Sequence, residues 1–180
     1  MSSLLTLLFA PSFLLLTHFF KFQELVFTYI IIALFFLLYA YVKKRKTEDF
    51  VILAIYLVLL SLAYYFDNFE TVKFIPVLSA MTFFTIFALS AMHNNEIIYK
   101  FTTKVYKKKL SDGEIKFLKK GDRFWAVAIF IYAMFLLYLV YYSNDAMWAF
   151  FSSIGWYIYF GVTLFVQVTY GKLYAIKLSS

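Results

Sequence analysis

The feature that most constrains this chain is a set of six apolar blocks, each near the length needed to cross a lipid bilayer. They cover residues 4–20, 25–42, 50–66, 74–92, 124–142 and 146–170. At ~1.5 Å per residue, helices of this length match a hydrocarbon core of roughly 30 Å, the shorter ones barely. Strands of a membrane barrel need about half that length and alternate in polarity, and these blocks do not alternate. The expected fold is all-α: a polytopic transmembrane helix bundle of six spans, forming a single integral membrane domain over 1–180. Composition agrees, since 64% of the residues are hydrophobic against about 45–50% in ordinary soluble domains.

The first block is the weakest. Pro11, Ser12, Thr17 and His18 interrupt it, so the alternative is five spans, with this block re-entering or lying in the interface. The fourth block carries Pro76, expected in its first turn, where proline costs a helix little. The turn of Ser143, Asn144 and Asp145 is too short for anything but a hairpin between blocks five and six.

Basic residues set the orientation. With the N-terminus cytoplasmic, loops 43–49 and 93–123 and the tail from 171 hold every Lys and Arg except Lys21 and Lys73. That is a strong positive-inside bias, with both termini cytoplasmic. The formal charge of +7 then reads as loop charge beside anionic lipid, and nucleic acid is not an expected partner. The chain has no cysteine, which excludes disulfides, thiolate catalysis and Cys-based metal sites. The N-terminus has neither a basic n-region nor a small-residue cleavage site, so no cleaved signal peptide is expected.

Residues 96–123 hold nine of the seventeen basic side chains. Ile98, Phe101, Val105 and Tyr106 recur there at helical spacing, while Lys100, Lys104, Lys107 and Lys108 take other positions. This pattern predicts an amphipathic helix lying in the cytoplasmic interface. Ser111-Asp-Gly-Glu114 has the form of a capping box and predicts a second short helix. Lys100, Lys104, Lys107, Lys108, Lys109, Lys119 and Lys120 are candidate contacts for anionic lipid, at ~1 kcal/mol each, or for other envelope membrane proteins.

All ten acidic residues fall in connections or at block ends. Ion-coupled transporters usually carry an ionisable residue inside the membrane, so its absence argues against that class. His93 and Glu96, three apart, could face one ligand on a helix, or could form an interfacial cap. Asp67, Glu70 and Lys73 would group on a short helical outer link, either as an acid–base pair or as a solvated connection. Ser152, Ser153 and Gln167 in block six, with His93 and Glu96, could line a polar pathway; helix packing is the competing reading. No nucleophile, phosphate-loop or metal signature is present. A non-enzyme with no catalytic, cofactor or metal residues is therefore expected.

Three stretches carry a resemblance. Phe19-Phe-Lys-Phe-Gln-Glu24, before a block ending at Lys43-Lys-Arg-Lys46, resembles the opening of the intracellular septation protein A family. Tyr65-Phe-Asp-Asn-Phe-Glu70 with Lys73-Phe-Ile-Pro76 is similar to that family and to a related membrane family encoded beside aryl-polyene or fatty-acid-like synthesis genes. Lys119-Lys-Gly-Asp-Arg-Phe-Trp125, and Trp148-Ala-Phe-Phe with Gly161, resemble the second family. The resemblance implies a bacterial inner-membrane protein with a cell-envelope role in septation, elongation or lipid handling; the lack of intramembrane charge and of a catalytic constellation, with charge gathered on one face, makes a non-enzymatic scaffold or accessory protein the leading expectation. The alternative expectation is a small lipid or small-molecule transporter.

Overall fold

The apolar blocks are helical in the computed structural model. It describes residues 2–43, 47–105 and 110–179, with side chains over 9–43, 50–51, 53–104 and 110–173. In chain order the helices are α1 (Ser2–Leu16), α2 (Phe22–Val42), α3 (Thr47–Phe66), α4 (Phe69–His93), α5 (Ile97–Val105), α6 (Asp112–Lys119), α7 (Gly121–Tyr142) and α8 (Asp145–Phe150). A π-helical segment (Phe151–Gly155) joins α8 directly to α9 (Trp156–Ser179). No strand occurs among the described residues, and the all-α expectation holds.

Local chemistry sets the helix ends. Asp67 (φ 48°) and Asn94 (φ 52°) adopt the left-handed conformation just past α3 and α4. The next N–H reaches back in each case, Asn68 to the Ala63 carbonyl at 3.1 Å and Asn95 to that of Ser90 at 3.0 Å. This Schellman closure is open to Asp and Asn more readily than to other residues with a Cβ. At α6 the expected capping box forms: Ser111 N–H donates to Glu114 Oε2 at 2.8 Å, and Glu114 N–H to Ser111 Oγ at 3.3 Å. Asn144 caps α8 by accepting the Met147 N–H at 2.8 Å. Asn68 Oδ1 accepts the Glu70 N–H at 2.8 Å and starts α4 earlier than expected. Pro76 therefore lies inside the helix, where it removes the donor that the Val72 carbonyl would have used.

Four helical stretches are long and apolar enough to cross a membrane: Phe22–Val42, Phe69–His93, Gly121–Tyr142 and Asp145–Leu173. Two expected spans are not among these four. α1 has 15 residues, with Pro11 inside, and reaches only ~22 Å; α3 runs over 20 residues, Thr47–Phe66, of which Leu53–Phe66 is the apolar part with described side chains. Phe35 and Leu38 on α2, and Val127 and Ile131 on α7, are exposed. Surfaces of this kind suit lipid better than water.

The chain divides into two compact units, Met1–Thr82 with Ala133–Trp156, and Phe83–Tyr132 with Tyr157–Ser180. The first is built on aromatic contacts. Phe9 and Phe13 of α1 are buried against Tyr29, Tyr56 and Phe69, with ring centroids 5.0–5.8 Å apart, and Trp148 of α8 closes on Phe69. Such pairs add about 0.5–1.5 kcal/mol each beyond area burial, which secures a helix too short to span comfortably. In the second unit Trp125 packs between Phe87 and Phe160, and Tyr132 against Tyr159.

Candidate functional site

The basic stretch is held by an acid. α5 begins after Glu96, whose φ of 54° is left-handed in a residue that rarely adopts it, a strain of about 1–3 kcal/mol. The Glu96 side chain does not cap the helix; it pairs with Lys119 at 3.3 Å. The cap comes from Asp122 in the first turn of α7. Its Oδ2 accepts the Ile97 N–H and its Oδ1 the Ile98 N–H, both at 2.9 Å, and Ser90 Oγ donates to Oδ2. Asp122 is buried, at 2% exposure. Its carboxylate fills two of the donors that every helix start leaves open, and its negative charge lies where the helix dipole favours it. One side chain thus joins α4, α5 and α7.

On this frame Lys100 and Lys104 are exposed along α5. The apolar positions of that helix divide their roles. Ile98 packs so tightly on α7 that a Cβ at Gly121 would meet its Cγ2 at 2.8 Å, whereas Phe101 points outward at 65% exposure. The Val105 side chain, Tyr106, Lys107, Lys108 and Lys109 lie outside the described residues. Lys119 and Lys120 join Lys116, Arg123, Asn94 and Glu96 around a recess of about 310 Å³. The expected His93–Glu96 pair does not form. Asn94 ends the helix between them, and His93 Nδ1 instead lies 2.9 Å from the carbonyl of Leu89 in its own helix.

Gln167 lines a half-open groove of about 250 Å³ in the second unit. Its Oε1 accepts the Trp125 indole N–H at 2.7 Å. An indole nitrogen only donates, so this bond fixes which end of the amide is oxygen. Nε2 is left buried and without a hydrogen-bond partner. Leu110, Phe117, Leu118, Leu164 and Val168 supply apolar walls, and Thr102, Glu114 and Lys172 polar ones. Gly171 permits the closeness of the Phe117 ring, which a Cβ there would meet at 3.0 Å. The N–H and hydroxyl of Ser111 hold the Glu114 carboxyl below its usual pKa, with Lys172 adding to the effect and burial opposing it.

Ser152 and Ser153 belong to the first unit and Gln167 to the second, so the three expected pathway residues are divided between them. Ser153 Oγ donates to the Ala149 carbonyl at 2.6 Å, in the helical turn entering the π-helical segment. Ser152 is buried with its hydroxyl unpartnered. His18, exposed, has Nδ1 3.1 Å from the Leu14 carbonyl.

The link between α3 and α4 is organised differently from the expected Asp67–Glu70–Lys73 group. Lys73 is buried and pairs at 2.8 Å with both Glu70 and Asp145. Its carbonyl accepts the Trp148 indole N–H at 3.2 Å, and its ammonium lies 5.2 Å from the centre of the Phe69 ring. Asp67, committed to the αL turn that ends α3, leaves its place to Asp145. Sequence spacing showed the Glu70–Lys73 contact; Asp145, far along the chain, gave no local signal. Among the described residues no cluster of three or more His, Asp or Glu could hold a metal ion. No family model matches the chain, and no curated protein or solved structure matches it significantly.

Proposed function

We propose that the chain is an integral protein of the bacterial inner membrane, a non-enzymatic scaffold or accessory of the cell envelope that docks partners on its basic face. It crosses the bilayer six times, with both termini cytoplasmic. The positive-inside bias supports that orientation. Burial of Phe9, Ala10 and Phe13 supports α1 as a member of the bundle, a short helix being accommodated by local thinning of the bilayer; the five-span form keeps every other loop on its side. The likeness of 65–76 to septation proteins supports an envelope role.

The observation that carries the reading is the Asp122 cap. A nine-residue helix is marginal alone in water. Tying its first turn to a buried carboxylate makes Lys100 and Lys104 parts of a fixed platform instead of a loose tether. Photo-crosslinking residues at Lys100 and Lys104, at native expression, test this: a reproducible protein neighbour is expected, and its absence overturns the scaffold reading.

A second reading, transport of a small lipid or other small molecule, is favoured by the groove at Gln167. Normal translocation by reconstituted vesicles after Gln167 is changed to Leu would remove that pathway.

A further inference from the structure

We infer that the recess bordered by the end of α4, by α6 and by the start of α7 binds the headgroup of a lipid that ends in a phosphomonoester. Charge is the first observation. Lys116, Lys119, Lys120 and Arg123 line the recess together with Glu96 and Asp122. Both carboxylates are answered inside the protein: Glu96 pairs with Lys119 at 3.3 Å, and Asp122 is buried and accepts the Ile97 and Ile98 N–H groups. Lys116, Lys120 and Arg123 are exposed and, among the described residues, make no ion pair. The C-termini of α4 and α6 carry about half a negative charge each, together one charge against three. A phosphomonoester carries about −1.5 to −2 at neutral pH and presents three terminal oxygens. Arg123 offers a planar fork for two of them, and Lys116 and Lys120 add point charges. A phosphodiester brings a single charge and two free oxygens, which leaves part of this set unanswered.

Position assigns the phosphate to a lipid. The recess lies at the end of one stretch long and apolar enough to cross a membrane, Phe69–His93, and at the start of the next, Gly121–Tyr142. That is the headgroup level, where cationic side chains meet lipid phosphate. Met92 and Phe124, chain neighbours of the lining residues Ala91 and Arg123, are exposed apolar side chains that leave acyl chains a surface beside the headgroup. The volume of about 310 Å³ is at the lower end of the roughly 300–1,000 Å³ of ligand pockets, enough for a headgroup with its tails left in the bilayer. Glu96 opposes the ligand: its side chain, 25% exposed, faces an incoming phosphate with a like charge and occupies Lys119. The inference rests on the reading of the chain as a membrane protein. It is separate from partner docking at Lys100 and Lys104, and either can fail while the other holds.

The test places the full chain in phosphatidylcholine nanodiscs with equal amounts of phosphatidic acid and phosphatidylglycerol of the same acyl chains. A pH of about 8 keeps the second phosphate proton off, and native mass spectrometry reads the lipid retained. Phosphatidic acid is expected to exceed phosphatidylglycerol roughly 2- to 5-fold, the scale of one half-exposed ion pair. K120Q and R123Q are each expected to lower its retention by a factor of that size, while K43Q, which removes the same charge outside the recess, is expected to leave it unchanged. E96Q is expected to raise it, a gain that a merely structural role for Glu96 would not produce. Soluble glycerol phosphate, offered in detergent without lipid, is expected to be retained less than phosphatidic acid offered in the same way. Equal retention of the two lipids by the wild type, a preference for phosphatidylglycerol, equal losses in K43Q and K120Q, or a loss in E96Q would each overturn the inference. Glycerol phosphate retained as well as phosphatidic acid would overturn the assignment to a lipid.

Discussion

Replacing Asp122 with Ala removes the carboxylate that accepts from Ile97 N–H, Ile98 N–H and Ser90 Oγ. Hydrogen bonds to a charged group contribute about 1.5–3 kcal/mol each, which would total more than 4 kcal/mol if additive. They are not, because all three draw on one carboxylate, and removing a buried charge also relieves its desolvation cost. A net loss of about 2–4 kcal/mol follows, concentrated in α5, since Glu96 retains its backbone strain with nothing downstream to hold it. At 1.4 kcal/mol per factor of ten, amide hydrogen exchange across 97–104 should accelerate roughly 30- to 1,000-fold. The core of α7 around Ile129 and Tyr132 should change far less. D122N, which keeps one oxygen, should fall between the two. Removing the exposed Lys119 partner of Glu96 should cost under ~1 kcal/mol. Exchange in D122A within threefold of wild type would refute the claim that Asp122 holds the basic stretch to the bundle.

Other outcomes follow from the same structure. Gly161 faces open space, so G161A should stabilise the protein by about 0.5–1 kcal/mol through helix propensity, whereas G121A, forced against Ile98, should destabilise it by about 1–3 kcal/mol; thermal unfolding in detergent reads both. K73M should cost about 1–2 kcal/mol, less than a wholly buried pair would lose, because Glu70 and Asp145 are half-exposed and remain hydrated. Glu114 is held below its unfolded pKa, so its contribution is present above the unfolded value of about 4.3 and is lost as pH falls through the folded one. Acid titration of the α6 amides should show this step in the wild type, and E114Q should abolish it.

What the sequence could reveal depended on how local the cause was. Helical class followed from block length, and the α6 start from Ser111 and Glu114, because both are decided within a few residues. The limits of α4 were misjudged because Asn68, outside the apolar block, starts the helix and moves Pro76 into its interior. The platform stayed hidden for a different reason. Asp122 reads as one acid in the basic run Lys119-Lys-Gly-Asp-Arg123, and its partners come from the end of α4 and the start of α5. A carboxylate at the start of an apolar helix was the one available hint. Gln167 was visible as a polar residue in block six, but its fixed orientation needs Trp125, brought to it only by folding. Spacing placed Lys73 beside Glu70 and could not show Asp145, which arrives on α8.

The absence of native cysteine makes single-cysteine labelling the most direct test of a membrane protein with its basic platform on the cytoplasmic face. K21C and K100C, probed with an impermeant maleimide in intact and then permeabilised cells, report the two sides separately. K21C should label in intact cells, and K100C only after permeabilisation. Labelling of K100C in intact cells, or of both positions equally, would contradict the account.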